Sequence, residues 1–301
     1  MNQAKPGTSS SIGKRVIRYV TLVISAFTII YLVLDIALAW FFVSGLIHPK
    51  CSEPQFLAGN FDPEEHWVNT SDGLSIRIWY FPPENGSVIL SFGGLKGSLG
   101  SHIPKIDFLM EEGYGIIQVD SRACAVPESA VTLGGNELLD AEAALEFSLA
   151  QDGVEPDRIG VFGFSMGGAT AIRLAARHPE VKAVVRDGGY AKLGDLLTPP
   201  NKSPIHQKIF QITLYWLFRL RTDIDPETIS PLDDLRKVSP RPILLIYGEA
   251  EADDGRVQQQ VLKQPEQLWI VPGSSHGRNH VVAPVEYQRR VLAFFNQALL
   301  E

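Results

Sequence analysis

The spacing of hydrophobic and polar positions changes character along the chain. From Tyr19 to Val43 apolar residues follow one another with no polar face, over more than the roughly 20 residues a helix needs to cross a bilayer core. After Pro63 this gives way to short apolar runs that end near glycine, separated by longer amphipathic stretches, a rhythm that predicts strands alternating with helices. Val88–Phe92, Ile159–Phe162, Arg241–Gly248 and the run from Gln267 read as strands. Asn136–Leu149 and Met166–Arg177 read as helices. The alternation implies an α/β class with a mostly parallel sheet and helices on both faces. Between Arg186-Asp-Gly-Gly-Tyr190 and the strand at Ile243 the rhythm breaks. Residues of about 191–236, with an apolar helical run from Ile205 to Leu220, read as a small helical cap over the carboxyl edge of the sheet. Tyr215, Trp216 and Phe218 are candidates to line a pocket there, or, at helical spacing, are simply core.

The elements locate the chemistry. Gly163-Phe-Ser165-Met-Gly167 is a G-x-S-x-G pentapeptide set between an apolar strand and a helix. In such an elbow the serine is held in a strained conformation with its hydroxyl free, and only glycine-sized neighbours let strand and helix approach. A nucleophilic serine requires an acid and then a histidine further along the chain. Glu249-Ala-Glu-Ala-Asp-Asp254 follows one strand and Ser274-Ser-His276-Gly follows the next. Both lie past the carboxyl ends of strands, where open α/β sheets bind ligands. His276 is the expected base, with His280 its nearest rival. His102, His178 and His206 read as surface residues.

Taken together these residues resemble the α/β-hydrolase superfamily, specifically bacterial membrane-anchored members related to the serine aminopeptidase and prolyl oligopeptidase-like hydrolases. The likeness spans residues of about 66 to 298. Asp72-Gly-Leu-Ser-Ile-Arg-Ile-Trp-Tyr resembles the opening hairpin. Val88-Ile-Leu-Ser-Phe-Gly-Gly resembles the strand and loop of the oxyanion hole, and Val119-Asp-Ser-Arg122 is similar to a D-x-R-G segment with Ala123 in place of glycine. Ser230-Pro-Leu-Asp and Val271-Pro-Gly-Ser-Ser-His276-Gly resemble the stretches around the acid strand and the histidine. By position the resemblance assigns the oxyanion hole to the backbone amides of Gly94 and Met166. It departs at Phe92, where histidine is usual. It departs again at the acid, where the position three residues past the strand-ending glycine holds Glu251 rather than aspartate. Glu251 is the expected acid, with Asp253 and Asp254 as alternatives.

Charge sets the remaining expectations. Lys5, Lys14, Arg15 and Arg18 precede the apolar stretch and only Lys50 closely follows it, so the positive-inside rule puts the N-terminus in the cytoplasm and the hydrolase domain outside it. The stretch runs on through Trp40-Phe-Phe-Val past a possible Ala37-Leu-Ala39 cleavage site, which favours an uncleaved anchor over a signal peptide. Asp35 within it marks either the cheaper end of the span or a contact with another membrane protein. The chain divides into a tail (1–18, with Met1–Gly13 polar), a transmembrane anchor (19–43), a juxtamembrane connector (44–65) and a hydrolase domain (66–301). Cys51 and Cys124 are too few to reveal a disulfide framework. A net charge of -7 over 301 residues argues against nucleic acid as a partner. No spacing suggests a metal or an organic cofactor. The expected activity is cleavage of carboxylic esters of a small or lipid-like acyl substrate. A peptidase using the same residues and a catalytically silent binding protein are the other readings.

Overall fold

The computed structural model describes residues 9–51, 62–95, 102–200, 202–262 and 267–301. The expected polar tail and connector therefore fall partly outside the described residues. Among the described residues eight strands form one sheet in the order β1-β2-β4-β3-β5-β6-β7-β8. These are β1 (Glu64–Asn69), β2 (Ser75–Phe81), β3 (Val88–Phe92), β4 (Gly115–Val119), β5 (Ile159–Phe164), β6 (Val181–Asp187), β7 (Ile243–Gly248) and β8 (Leu268–Val271). β1 and β2 form an antiparallel hairpin and β2 joins β4 antiparallel. From β4 to β8 every pairing is parallel. The strands β3, β4 and β7 are buried at every position, which is why β3 and β7 show no alternation of apolar and polar residues.

Two apolar layers flank the sheet. On one face Leu138, Ala141 and Leu145 of α2 (Glu137–Leu149) and Ile172 and Leu174 of α3 (Met166–Arg177) pack against Val88, Leu90 and Val161. Leu235 and Val238 of α5 (Pro231–Val238) join them. On the other face Tyr287, Val291 and Phe295 of α7 (Pro284–Leu299) meet Ile89, Phe162 and Ile246, together with 3-10 turns over Ile103–Lys105 and Asp107–Glu112. α6 (Ala252–Gln259) follows β7, and α4 (Ile205–Thr222) is the long helix of the segment expected to form the cap.

The N-terminal helix α1 runs from Ser9 to Ile47. It therefore begins inside the expected tail and ends beyond the expected boundary at Val43. Its 39 residues extend about 58 Å at 1.5 Å per residue, nearly twice a bilayer core of roughly 30 Å. Most of its apolar side chains are exposed, but Ala39, Val43 and Ile47 are buried. Val43 and Ile47 share a third cluster with Met166, Leu193, Phe218 and Ile229, and Ile47 O accepts the Val131 amide at 2.8 Å. Cys51, just past the helix, is bonded to Cys124, 73 residues away. The sequence showed no such crosslink because two isolated cysteines carry no spacing pattern.

Candidate active site

Ser165 lies between β5 and α3 with φ 55 and ψ -117. Side chains rarely adopt this conformation, and it persists only where the surroundings enforce it. A Cβ on Gly167 would overlap the Phe92 carbonyl, and one on Gly163 would overlap the Gly167 carbonyl. The elbow thus needs glycine on both sides of the serine because backbone fills those places. The Ser165 amide donates to Asp187 O at 2.9 Å, fixing the elbow to the end of β6.

His276, in the loop after β8, brings Nε2 to 2.9 Å from Ser165 Oγ. Its Nδ1 lies 2.7 Å from Glu251 Oε2. The carboxylate selects the tautomer with hydrogen on Nδ1, leaving Nε2 free to accept from the serine hydroxyl. This hydrogen bond raises the His276 pKa above 6.5, and the charge of Glu251 and Asp187 adds to it against the opposing effect of burial. The acid assignment turns on exposure. The Glu251 side chain is 15% exposed, whereas that of Asp253 is 97% exposed and pairs with Arg256. Asp254 is a residue of α6, and burial raises its pKa. Of the three acids considered, Glu251 is the one hydrogen-bonded to His276. Room for this pair comes from Gly188, where a Cβ would stand 2.9 Å from Glu251 Oε1 and 3.2 Å from His276 Nδ1.

Gly94 and Met166 face the same region. A Cβ on Gly94 would contact the Phe164 ring and lie 3.5 Å from Ser165 Cβ, and a small cleft is lined by Phe92, Gly93, Gly94, Asp120, Met166 and Gly167. Met166 opens α3, whose first amides are free of intrahelical partners and carry the positive end of the helix dipole. Phe92, standing where histidine was expected, is buried and lends the cleft an apolar wall.

Buried polar residues behind the site escaped the sequence reading. Arg186 is fully buried. Its Nε donates to Gly188 O at 3.0 Å, Nη2 to Tyr190 O at 2.5 Å and Nη1 to Gln258 Oε1 at 2.6 Å. It ties the glycine turn beside Glu251 and His276 to α6. Asp187, also fully buried, accepts from Asn279 Nδ2 at 2.7 Å and Tyr287 Oη at 3.0 Å, and burial raises its pKa. The only local signal was an Arg-Asp pair closing an apolar strand before two glycines.

The other histidines part company with the base. His280 Nδ1 lies 3.0 Å from Lys105 Nζ, and burial with the Lys105 charge holds its pKa at about 4. His102, expected at the surface, is instead buried beneath the Phe162 and Phe164 rings. Burial, with Lys105 and His280 nearby, pushes it down to about 3. His178 is partly buried against Glu142, and His206 is exposed. The cap aromatics also separate: Phe218 is core, Trp216 is exposed, and Tyr215 donates to Asp225.

Residues 87–228 match the profile of a family described as the alpha/beta hydrolase fold. The Escherichia coli (strain K12) protein YfhR is 24% identical over 217 residues, which cover 68% of this chain and 70% of that protein. Among solved structures, the Pyrococcus furiosus esterase Pf2001 is similar with a TM-score of 0.61 and 22% identity, over 82% of this chain and all of that one. A puromycin-hydrolyzing peptidase of Mycobacterium tuberculosis aligns at a TM-score of 0.64 and 18% identity, over 82% of this chain and 41% of its own. At these identities the structures speak for the shared fold.

Proposed function

Because the chain belongs to the α/β-hydrolase superfamily, we propose that it is a membrane-tethered serine hydrolase cleaving carboxylic esters through an acyl-enzyme intermediate. The observation that carries this reading is the continuous line from Ser165 Oγ through His276 to Glu251, with contacts of 2.9 and 2.7 Å. His276 takes the serine proton as Oγ attacks the acyl carbon, and Glu251 stabilises the imidazolium that forms. The amides of Gly94 and Met166 bind the oxyanion of the tetrahedral intermediate. His276 then protonates the leaving alcohol, and a water activated in the same way releases the acid.

The anchor reading is supported by a helix from Gly13 to Ile47 of mean hydropathy 2.4 over its most apolar window. An extracytoplasmic hydrolase domain is supported by Lys14, Arg15 and Arg18 at the N-terminal end of that helix and by the Cys51–Cys124 bond, since disulfides persist in oxidising compartments. The test is covalent labelling with a fluorophosphonate probe followed by peptide mapping. We expect modification of Ser165, none in Ser165→Ala, and faster turnover of acyl esters than of aminoacyl amides. Folded protein that resists the probe would leave a binding role, and preference for the amides would make it a peptidase.

A further inference from the structure

We infer that the cap helix α4 is seated in the outer leaflet beside the anchor, with one apolar stripe against lipid acyl chains. This rests on the anchor reading above. Ile205, Ile212, Trp216 and Leu220 are between 49% and 77% exposed, and their spacing of seven, four and four places them on one helical face. So many large apolar side chains on one helix of a water-facing cap would be an unusual exposed patch.

Neighbouring faces of α4 say what covers it. Phe218 is sunk into the cluster that holds Val43, Ile47 and Met166. Toward α1, Thr213 Oγ1 donates to Asp35 Oδ2 at 2.7 Å and Arg221 Nη1 to Ser44 Oγ at 2.5 Å. The acidic residue of the apolar stretch is thereby buried and hydrogen-bonded within its own chain, which lowers the cost of carrying it near hydrocarbon. A groove of about 470 Å³ runs between the two helices, walled by Tyr31, Leu34, Leu38, Phe210 and Leu214. Since Leu34 and Leu38 are exposed residues of the anchor, the stripe on α4 continues a surface that already meets lipid.

Charge fixes the depth. α4 contains Lys208, Arg219 and Arg221 and no acidic residue, the composition of a helix that lies in an anionic headgroup region. Arg219 lies over the Trp216 ring at 5.5 Å and Arg221 over the Trp40 ring at 4.2 Å. Tryptophan and arginine together occupy the membrane–water boundary because each pairs an apolar body with a polar end. A soluble protein partner would account for the stripe but not for its continuity with the anchor.

Single cysteines at positions 27, 212, 220 and 285 (Phe27→Cys, Ile212→Cys, Leu220→Cys, Val285→Cys) would carry an environment-sensitive nitrobenzoxadiazole label. Each full-length variant is reconstituted in phosphatidylcholine–phosphatidylglycerol vesicles, with retained turnover of a short-chain ester as the check on folding. The native cysteines are bonded to one another and do not compete for the label. Doxyl-labelled lipid should remove more than half of the emission at 212 and 220, as it does at 27, and spare 285 on α7, which aqueous iodide quenches instead. Quenching at 27 but by iodide at 212 and 220 overturns the proposal and leaves the anchor standing. Shielding of 212 and 220 from both quenchers means that protein, a second copy included, covers the stripe and also overturns it. Absence of lipid quenching at 27 would remove the anchor reading itself.

Discussion

In the proposed mechanism the chemistry turns on Glu251, whose carboxylate is hydrogen-bonded to His276 and raises its pKa. The imidazole must be neutral to accept the Ser165 proton. Activity is therefore expected to rise with pH along a limb centred above the ordinary histidine value of 6.5. Glu251→Gln should lower kcat about 10²- to 10⁴-fold and move that limb to lower pH, whereas Asp253→Asn should leave both near wild type. A pH–rate profile of the three proteins checks the assignment, and equal tolerance of both substitutions would contradict it. These residues were legible because each sits beside a local landmark: the elbow, a strand-ending glycine, a glycine-flanked loop. Arg186, Asp187, Asn279 and Tyr287 were not, since a buried hydrogen bond between residues up to 100 positions apart leaves no mark on local pattern.

At the level of elements, one guanidinium ties the turn that follows β6 to α6. Arg186 supplies three hydrogen bonds from full burial. Arg186→Met strands the Gly188 and Tyr190 carbonyls and should cost about 3 kcal/mol, a fall on the order of 10 °C in unfolding temperature for a domain of this size. Arg186→Lys should not rescue it, because an ammonium cannot span acceptors set around a planar fork. Thermal unfolding measures the first effect, and kcat well below that temperature shows whether the Gly188 turn still positions Glu251. The strands β3, β5, β7 and β8 and the helices α2, α3 and α4 could be read within a few residues of their ends, the strands because short apolar runs ending near glycine mark them, whereas β4, β6 and α7 were not read. The 3-10 turns over Ile103–Glu112 were missed, having no sustained period. The pairing of α1 with α4 was missed too, because each helix is apolar in its own right and nothing local says which neighbour it meets.

For the whole molecule, Cys51–Cys124 joins the residues just past α1 to the segment after β4. A closed loop of 73 residues is expected to contribute about 4 kcal/mol on the chain-entropy account. Replacing both cysteines with serine should lower the unfolding temperature, and in intact cells a maleimide should modify neither thiol until a reductant is added. Modification without reductant would place the domain in a reducing compartment. Val43 and Ile47 carry a related consequence. They belong to the apolar cluster that includes Met166, the residue after Ser165, so the last turns of α1 pack in the same apolar layer as the start of α3. A cut in the chain just before the first strand would therefore release nothing by itself: the Cys51–Cys124 bond would still hold α1 to the domain, and only a reductant acting with the protease would part them.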